Sequence, residues 1–127
     1  MALNVLQAAP DYDPRRSRPR KTNYPMPFRT THPALAQALE AQGYQTPTPV
    51  QAAVIEAPAQ DLLVSAQTGS GKTVAFGLAA AGPLLGEAER FERAQAPLGL
   101  VIAPTRELAQ QVSRELEWLY KEAGGRI

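Results

Sequence analysis

Residues 62–73 read LLVSAQTGSGKT, and this stretch decides the fold class of the chain. Its first five residues form an uncharged, mostly apolar run, which is typical of a short strand buried on both faces. A glycine-rich turn follows, and then a helical segment from about 73 to 81 that Gly82 and Pro83 are expected to close. A strand, a glycine-rich turn and a helix in this order predict a phosphate-binding loop in an α/β protein.

The loop has the residue types that phosphate binding requires. Gly69 and Gly71 allow the backbone to curl so that successive N–H groups point inward and form an anion nest. Lys72 supplies a positive charge for the β- and γ-phosphates, and Thr73 offers a hydroxyl to Mg²⁺. The first position is Ala66, where the general pattern G-x-x-x-x-G-K-[ST] has glycine. An ordinary turn is the structural alternative, and the flanking strand and helix disfavour it.

A second pair of elements follows the loop. The apolar run at 98–103 predicts another buried strand, and a helix is expected from about 106 to 122. The order strand, helix, strand, helix predicts a parallel sheet with right-handed crossovers and flanking helices. Two strands are few for such a sheet, so we expect it to be incomplete.

Two helices are predicted before the loop. The first is capped by His32 or Thr31 and stops near Gly43. The second begins after Thr48, and Gln51 three residues further on completes the pattern of a capping box. The amide of Gln51 has a second use, because one donor and one acceptor side by side match the edge of an adenine. The residues alone leave both roles open.

Composition limits the function classes. The chain has 127 residues, of which 44% are hydrophobic and 20% charged, which is typical of a globular domain. It has no cysteine and one histidine, which excludes thiolate sites and histidine-rich metal clusters. No uncharged stretch is long enough to span a bilayer and no signal pattern begins the chain, so we predict a cytoplasmic protein without a membrane partner.

Charge and proline divide the chain into two parts. Residues 1–27 contain five prolines, and five basic residues against two acidic ones give them a local charge of +3. We predict that this segment is a flexible basic arm, either solvated or in contact with phosphates. Residues 28–127 are predicted to be the folded part of the chain.

Three segments resemble a known set of motifs. They are GYQTPTPVQ at 43–51, AQTGSGKT at 66–73 and PTRELA at 104–109. Together they resemble the Q motif, motif I and motif Ia of the DEAD-box RNA helicases, over about residues 28–127. The resemblance implies the N-terminal part of a RecA-like P-loop NTPase domain, with ATP and Mg²⁺ as ligands and RNA as substrate. Phe28 is the candidate for an aromatic residue that this family places before the Q motif, although it lies closer than usual; the alternative is that it anchors the arm.

The resemblance also implies roles for individual residues. Gln51 would recognise adenine, with Tyr44 stacking on or near the base and Thr46 against it. The residues that would hold the phosphates and Mg²⁺ are Gln67, Thr68, Gly69, Ser70, Gly71, Lys72 and Thr73, of which Lys72 and Thr73 are assigned to catalysis. The RNA backbone would be met by Pro104, Thr105 and Arg106. A plain capped helix is the structural alternative for this last segment, since Thr105 is a candidate N-cap.

Part of the chemistry that the family uses is missing from the chain. ATP hydrolysis requires a carboxylate on Mg²⁺ and a group that orients the attacking water. The aspartates are Asp11, Asp13 and Asp61, and none of them belongs to the Asp-Glu-Ala-Asp motif that names the family. We therefore expect a truncated first helicase domain that binds ATP without hydrolysing it. The alternatives are another P-loop NTPase, or a non-enzymatic fragment that binds RNA through the basic arm.

Overall fold

The computed structural model describes residues 5–7, 31–57 and 61–127. Phe28 and most of the predicted arm lie outside these ranges. The described elements are β1 (Val5–Gln7), α1 (Pro33–Ala41), α2 (Pro49–Ile55), β2 (Leu62–Val64), α3 (Lys72–Leu85) and α4 (Arg106–Leu119). None of these helices has the length and apolar character needed to cross a membrane.

Side-chain caps begin three of the described helices, as the sequence predicts. The imidazole of His32 accepts a hydrogen bond from the first turn of α1, and the hydroxyl of Thr105 accepts one from the first turn of α4. At α2 the capping box is complete. The Thr48 hydroxyl accepts from the Gln51 N–H at 3.4 Å, and Gln51 Oε1 accepts from the Thr48 N–H at 3.0 Å. The predicted helix starts are therefore confirmed.

Two helix ends differ from the prediction. Helix α3 continues through Gly82 and Pro83 to Leu85, and the N–H of Gly86 bonds to the carbonyl of Gly82 at 2.8 Å. A proline removes one N–H and one helical bond, and core packing along α3 compensates for that single loss. Helix α4 ends at Leu119 instead of near 122, and residues 120–124 form a series of turns before Gly125.

The sheet also differs from the prediction. Strands β1 and β2 pair antiparallel, with Leu6 opposite Leu63, and they form the only sheet in the described residues. The predicted parallel sheet is therefore not confirmed, and 98–103 is not a strand. A strand needs a neighbour for its backbone hydrogen bonds, and in this part of the chain Leu100 and Ile102 are 84% and 85% exposed. Leu63 is also exposed, so β2 is not buried on both faces.

The main hydrophobic core lies between α1, α3 and α4. Its largest fully buried members are Leu35 and Leu39 of α1, Val74 of α3 and Leu119 of α4. A smaller cluster joins α2 to α3, with Val50, Val54 and Ala75 buried against the apolar side chains of β2. This second cluster places the first turn of α2 beside the start of α3.

Helices α3 and α4 approach each other closely at a glycine. A Cβ on Gly77 would lie 2.6 Å from Leu119 Cδ2 and 3.0 Å from Leu116 Cδ2, so the absence of a side chain makes room for α4. The buried hydroxyl of Tyr120 donates to the carbonyl of Gly77 at 2.7 Å. Burial raises the pKa of Tyr120 from 10.0 to about 12.

The variant Tyr120→Phe tests this hydrogen bond. At pH 7 its free energy of unfolding should be about 1 kcal/mol lower than that of the wild type, because the bond to Gly77 is lost. The folded-state pKa of Tyr120, about 12, lies above the unfolded value of 10.0, so the wild type loses stability as pH rises between them. Phenylalanine does not ionise, so the variant lacks this loss. The difference in free energy of unfolding between the wild type and the variant should therefore shrink as pH rises from 10.0 to about 12. Urea unfolding at a series of pH values measures both effects. The absence of a difference at pH 7 would contradict the role of the hydrogen bond, and a difference that stays constant above pH 10 would contradict the raised pKa of Tyr120.

Candidate nucleotide-binding site

The loop between β2 and α3 curls at two glycines, as predicted. Gly69 and Gly71 have φ angles of 78° and 85°, in the left-handed region that favours glycine. The N–H of Ser70 donates to the carbonyl of Gln67 at 3.2 Å and closes the turn. Helix α3 begins at Lys72, directly after Gly71, and has no acidic residue in its first turn. The positive end of the helix dipole therefore lies at the loop, which favours an anion there.

The ammonium group of Lys72 is bound within the loop. Its Nζ donates to the backbone oxygen of Ala66 and, at 2.8 Å, to that of Gln67. A solitary charge in this uncharged stretch needs a partner. In this conformation two carbonyl oxygens are that partner, and a bound phosphate would compete with them for the same ammonium group.

Two hydroxyl groups flank the lysine. The buried Oγ of Ser70 has no hydrogen-bond partner within the described residues. A buried polar group without a partner is costly, and a hydroxyl in this position, beside a helix N-terminus, is compatible with a phosphate ligand. Thr73 is half-buried in the first turn of α3, whereas Asp61 precedes β2 at the end remote from the loop. The described residues contain no cluster of three acidic, histidine or cysteine side chains that could hold a metal.

The side chain of Gln51 reaches the loop from α2. It is 0% exposed, and its Nε2 donates to the carbonyl of Gly71 at 3.4 Å while Oε1 accepts from Thr48. A Cβ on Gly71 would lie 2.5 Å from Gln51 Nε2, so this approach depends on glycine. The structure thus confirms the capping role and brings two of the three sequence motifs into contact. The Oε1 atom of Gln51 can accept one more hydrogen bond, and its Nε2 group can donate one more.

Tyr44 makes a contact that the sequence analysis missed. Its ring stacks on that of Trp118, with centroids 5.8 Å apart and planes at 19°. Tyr44 remains 36% exposed, and Thr46 is exposed in the same loop. Trp118 lies near the C-terminal end of α4. The one available signal was that it is the single tryptophan of the chain.

The third motif stands apart from the other two. Pro104, Thr105 and Arg106 are exposed at the start of α4. The Thr105 hydroxyl accepts from the N–H of Leu108 at 3.2 Å, which confirms its role as a helix cap. No hydrogen bond between described residues links this segment to the glycine-rich loop. The structure therefore does not join the predicted RNA contacts to the predicted phosphate contacts.

A cleft of about 610 Å³ lies elsewhere in the molecule. It is lined mainly by apolar side chains from α2, β2 and α3, among them Val54, Ile55, Leu62 and Leu78. None of the predicted site residues lines this cleft. The candidate nucleotide site is therefore the loop and not the cleft.

A strand, a loop curled at two glycines, and a lysine at the start of a helix define the class of P-loop proteins. Comparison with protein families is more specific. Residues 48–127 match the family model described as DEAD/DEAH box helicase, which is more than half of the chain. The chain belongs to the DEAD/DEAH box helicase family, and this membership implies a RecA-like P-loop fold.

Individual relatives agree with the family. The chain is 47% identical over 87 residues to the ATP-dependent rRNA helicase rrp3 of Neosartorya fischeri, an alignment that covers 67% of this chain. It is 44% identical over 96 residues, or 74% of this chain, to the DEAD-box ATP-dependent RNA helicase CshA of Bacillus cereus. In both cases the match spans 17% of the relative's own length. No solved structure matches the chain.

Two alanine variants test the contact between Gln51 and the loop. Gly69→Ala and Gly71→Ala both place a side chain at positive φ, which costs about 1–2 kcal/mol. Only at Gly71 does the new Cβ also meet the buried amide, since nothing lies within 4 Å at Gly69. We expect Gly71→Ala to lower the free energy of unfolding by about 1–3 kcal/mol more than Gly69→Ala. Urea unfolding measures the difference, and equal losses would contradict the contact.

Proposed function

We propose that this chain is the ATP-binding N-terminal part of a DEAD-box RNA helicase. In the complete protein, ATP hydrolysis would be coupled to the unwinding or remodelling of RNA duplexes in the cytoplasm. Family membership and the names of the relatives support ATP and RNA as ligands. The observation that carries the proposal is the contact of Gln51 with Gly71, because it holds a side chain able to bind adenine against a loop able to bind phosphate.

The base would be recognised by the amide of Gln51. Both of its groups are engaged in the present conformation, yet each retains capacity for one further hydrogen bond. Gln51 is fully buried, so the base reaches the amide only if the loop moves at Gly71. The 3.4 Å bond to Gly71 is long for an N–H···O bond, and it is the one that phosphate binding would disturb. Tyr44 and Thr46 precede Thr48 in the same loop and would flank the base.

The phosphates would be bound by the curled backbone and by two side chains. The donors would be the backbone N–H groups of residues 67–73 other than that of Ser70, together with the unpartnered Ser70 Oγ and the ammonium of Lys72. On binding, Lys72 exchanges its two carbonyl partners for phosphate oxygens. The Thr73 hydroxyl would hold Mg²⁺, and the cation would neutralise negative charge on the β- and γ-phosphates. Lys72 and Thr73 are therefore the residues of this chain closest to the chemistry.

The start of α4 would bind the phosphate groups of the RNA backbone. Pro104, Thr105 and Arg106 are exposed, and a helix of 14 residues offers free N–H groups at this end. The guanidinium of Arg106 adds a charged donor suited to phosphate oxygens. Residues 1–27 are proposed as a basic arm before the helicase domain; within them, Val5–Gln7 form β1, which pairs with β2.

Base recognition can be separated from helix capping by a matched pair of variants. Thr48→Ala and Gln51→Ala each break the capping box and should lower the free energy of unfolding by about 0.5–2 kcal/mol. Only Gln51→Ala removes the amide, so only this variant should lose a preference for ATP over GTP. Calorimetric titration with the non-hydrolysable analogues AMP-PNP and GMP-PNP, in the presence of Mg²⁺, measures the preference. Equal loss in both variants means that Gln51 acts as a cap alone.

The chain by itself should not hydrolyse ATP. No Asp-Glu-Ala-Asp segment occurs in its 127 residues, and the first turn of α3 has no acidic side chain. Phosphate release from MgATP by the purified chain should equal that of Lys72→Ala. Magnesium-dependent release that Lys72→Ala abolishes would show that the catalytic acid is already present.

A further inference from the structure

Trp118 joins the loop between α1 and α2 to the hydrophobic core. Its ring stacks on Tyr44 at a centroid distance of 5.8 Å, within the range of offset aromatic pairs. Trp118 also packs against the main core cluster, and its neighbour Leu119 is fully buried. The tryptophan therefore belongs to a firmly held part of α4, whereas Tyr44 lies in a loop and is 36% exposed.

Hydrogen bonds restrain this loop at its two ends. The N–H of Tyr44 donates to the carbonyl of Leu39 at 3.0 Å, and the N–H of Thr48 donates to Gln51 Oε1 at 3.0 Å. Among the described residues, no hydrogen bond holds positions 45–47 between these two points. The stack of Tyr44 on Trp118 is thus a side-chain restraint beside a segment whose positions 45 and 46 are exposed and which makes no hydrogen bond to the described residues.

We propose that Trp118 is a positioning residue for the nucleotide site and acts through Tyr44. The proposal rests on the function proposed above, in which adenine binds beside Tyr44 and Gln51. The stack holds the loop in one arrangement before the base arrives, so less conformational freedom is lost when the base binds. Trp118 itself does not touch the nucleotide. Its loss should weaken binding of the base while the contacts of the phosphate loop are unchanged.

Three variants of the 127-residue chain test the role of the stack. Trp118→Ala should weaken AMP-PNP binding by up to about 10-fold, the equivalent of one lost aromatic pair. Trp118→Phe keeps a ring on Tyr44 and should restore most of that affinity. The matched control is Phe91→Leu, which breaks the pair of Phe91 with Tyr120, also 5.8 Å apart and packed on the same core. The control should lose stability without losing affinity.

Inorganic tripolyphosphate separates the base from the phosphates. It has no base, so its affinity should be the same in the wild type and in all three variants. Calorimetric titration measures both ligands under the same conditions, and thermal unfolding of each variant shows how much folded protein is present. A weakening that is equal for AMP-PNP and tripolyphosphate would overturn the positioning role.

Fluorescence gives a second readout on the unmodified protein. Trp118 is the only tryptophan, so all tryptophan emission of the chain comes from this ring. AMP-PNP should change the emission along the calorimetric binding curve, and tripolyphosphate should not. The variant Tyr44→Leu should bind AMP-PNP more weakly, because Tyr44 flanks the base, and at a concentration that calorimetry shows to be saturating the ligand should change the emission of Trp118 little. This measurement does not depend on the folding of a Trp118 variant.

The outcomes distinguish this inference from the proposed function. If calorimetry detects no binding of AMP-PNP to the wild type, the proposed nucleotide site is wrong and the role of Trp118 falls with it. If AMP-PNP binds, but Trp118→Ala binds as tightly as the wild type or the emission of Trp118 stays constant, only the positioning role is overturned.

Discussion

The buried amide of Gln51 is the constraint on which the rest of the site depends. A polar side chain that is 0% exposed is stable only when its groups are hydrogen-bonded, and here one partner belongs to α2 and the other to the glycine-rich loop. The bond to Gly71 forms only while the first turn of α2 stays beside the loop, whereas the bond from Thr48 is part of the capping box of α2 itself. The packing of Val50 and Val54 on Ala75 holds the two helices at that separation. The hydrogen bond from Gln51 to the loop and the packing of Val50 and Val54 on Ala75 therefore require the same position of α2.

Helix α3 transmits this placement to the core. It carries the loop and Lys72 at its N-terminal end, and Gly77 faces α4 one and a half turns later. The close approach of Leu119 and the hydrogen bond from Tyr120 fix the helix along its length. The direction of α3 in turn sets where its free N–H groups point, so the packing at Gly77 also orients the N-terminal end of the helix at the glycine-rich loop.

Local signals were sufficient to predict much of the fold and of the site. The caps at Thr48 and Thr105, and the positive φ of Gly69 and Gly71, depend on a few neighbouring residues, and all of them are present. Membership of the helicase family followed from three short motifs in the correct order, and the family match confirms it.

The features that were missed depend on partners distant in sequence. The pairing of β2 is antiparallel, and no property of residues 62–64 indicates which segment will lie beside them. The continuation of α3 past Pro83 depends on packing that a helix-breaker rule does not include. The stack of Tyr44 on Trp118 joins two rings that share no helical or strand periodicity, so no pattern in the sequence could indicate it.

The segment 98–102 has a consequence for how the protein behaves in concentrated solution. It reads LGLVI, has no charge, and exposes Leu100 and Ile102 almost completely. Apolar runs of this kind can add edge to edge to the same run in another molecule, which begins aggregation. Pro97 and Pro104 stand on either side of the run, and a proline cannot donate to a growing ladder. The two prolines therefore act as gatekeepers that limit such contacts to the few residues between them.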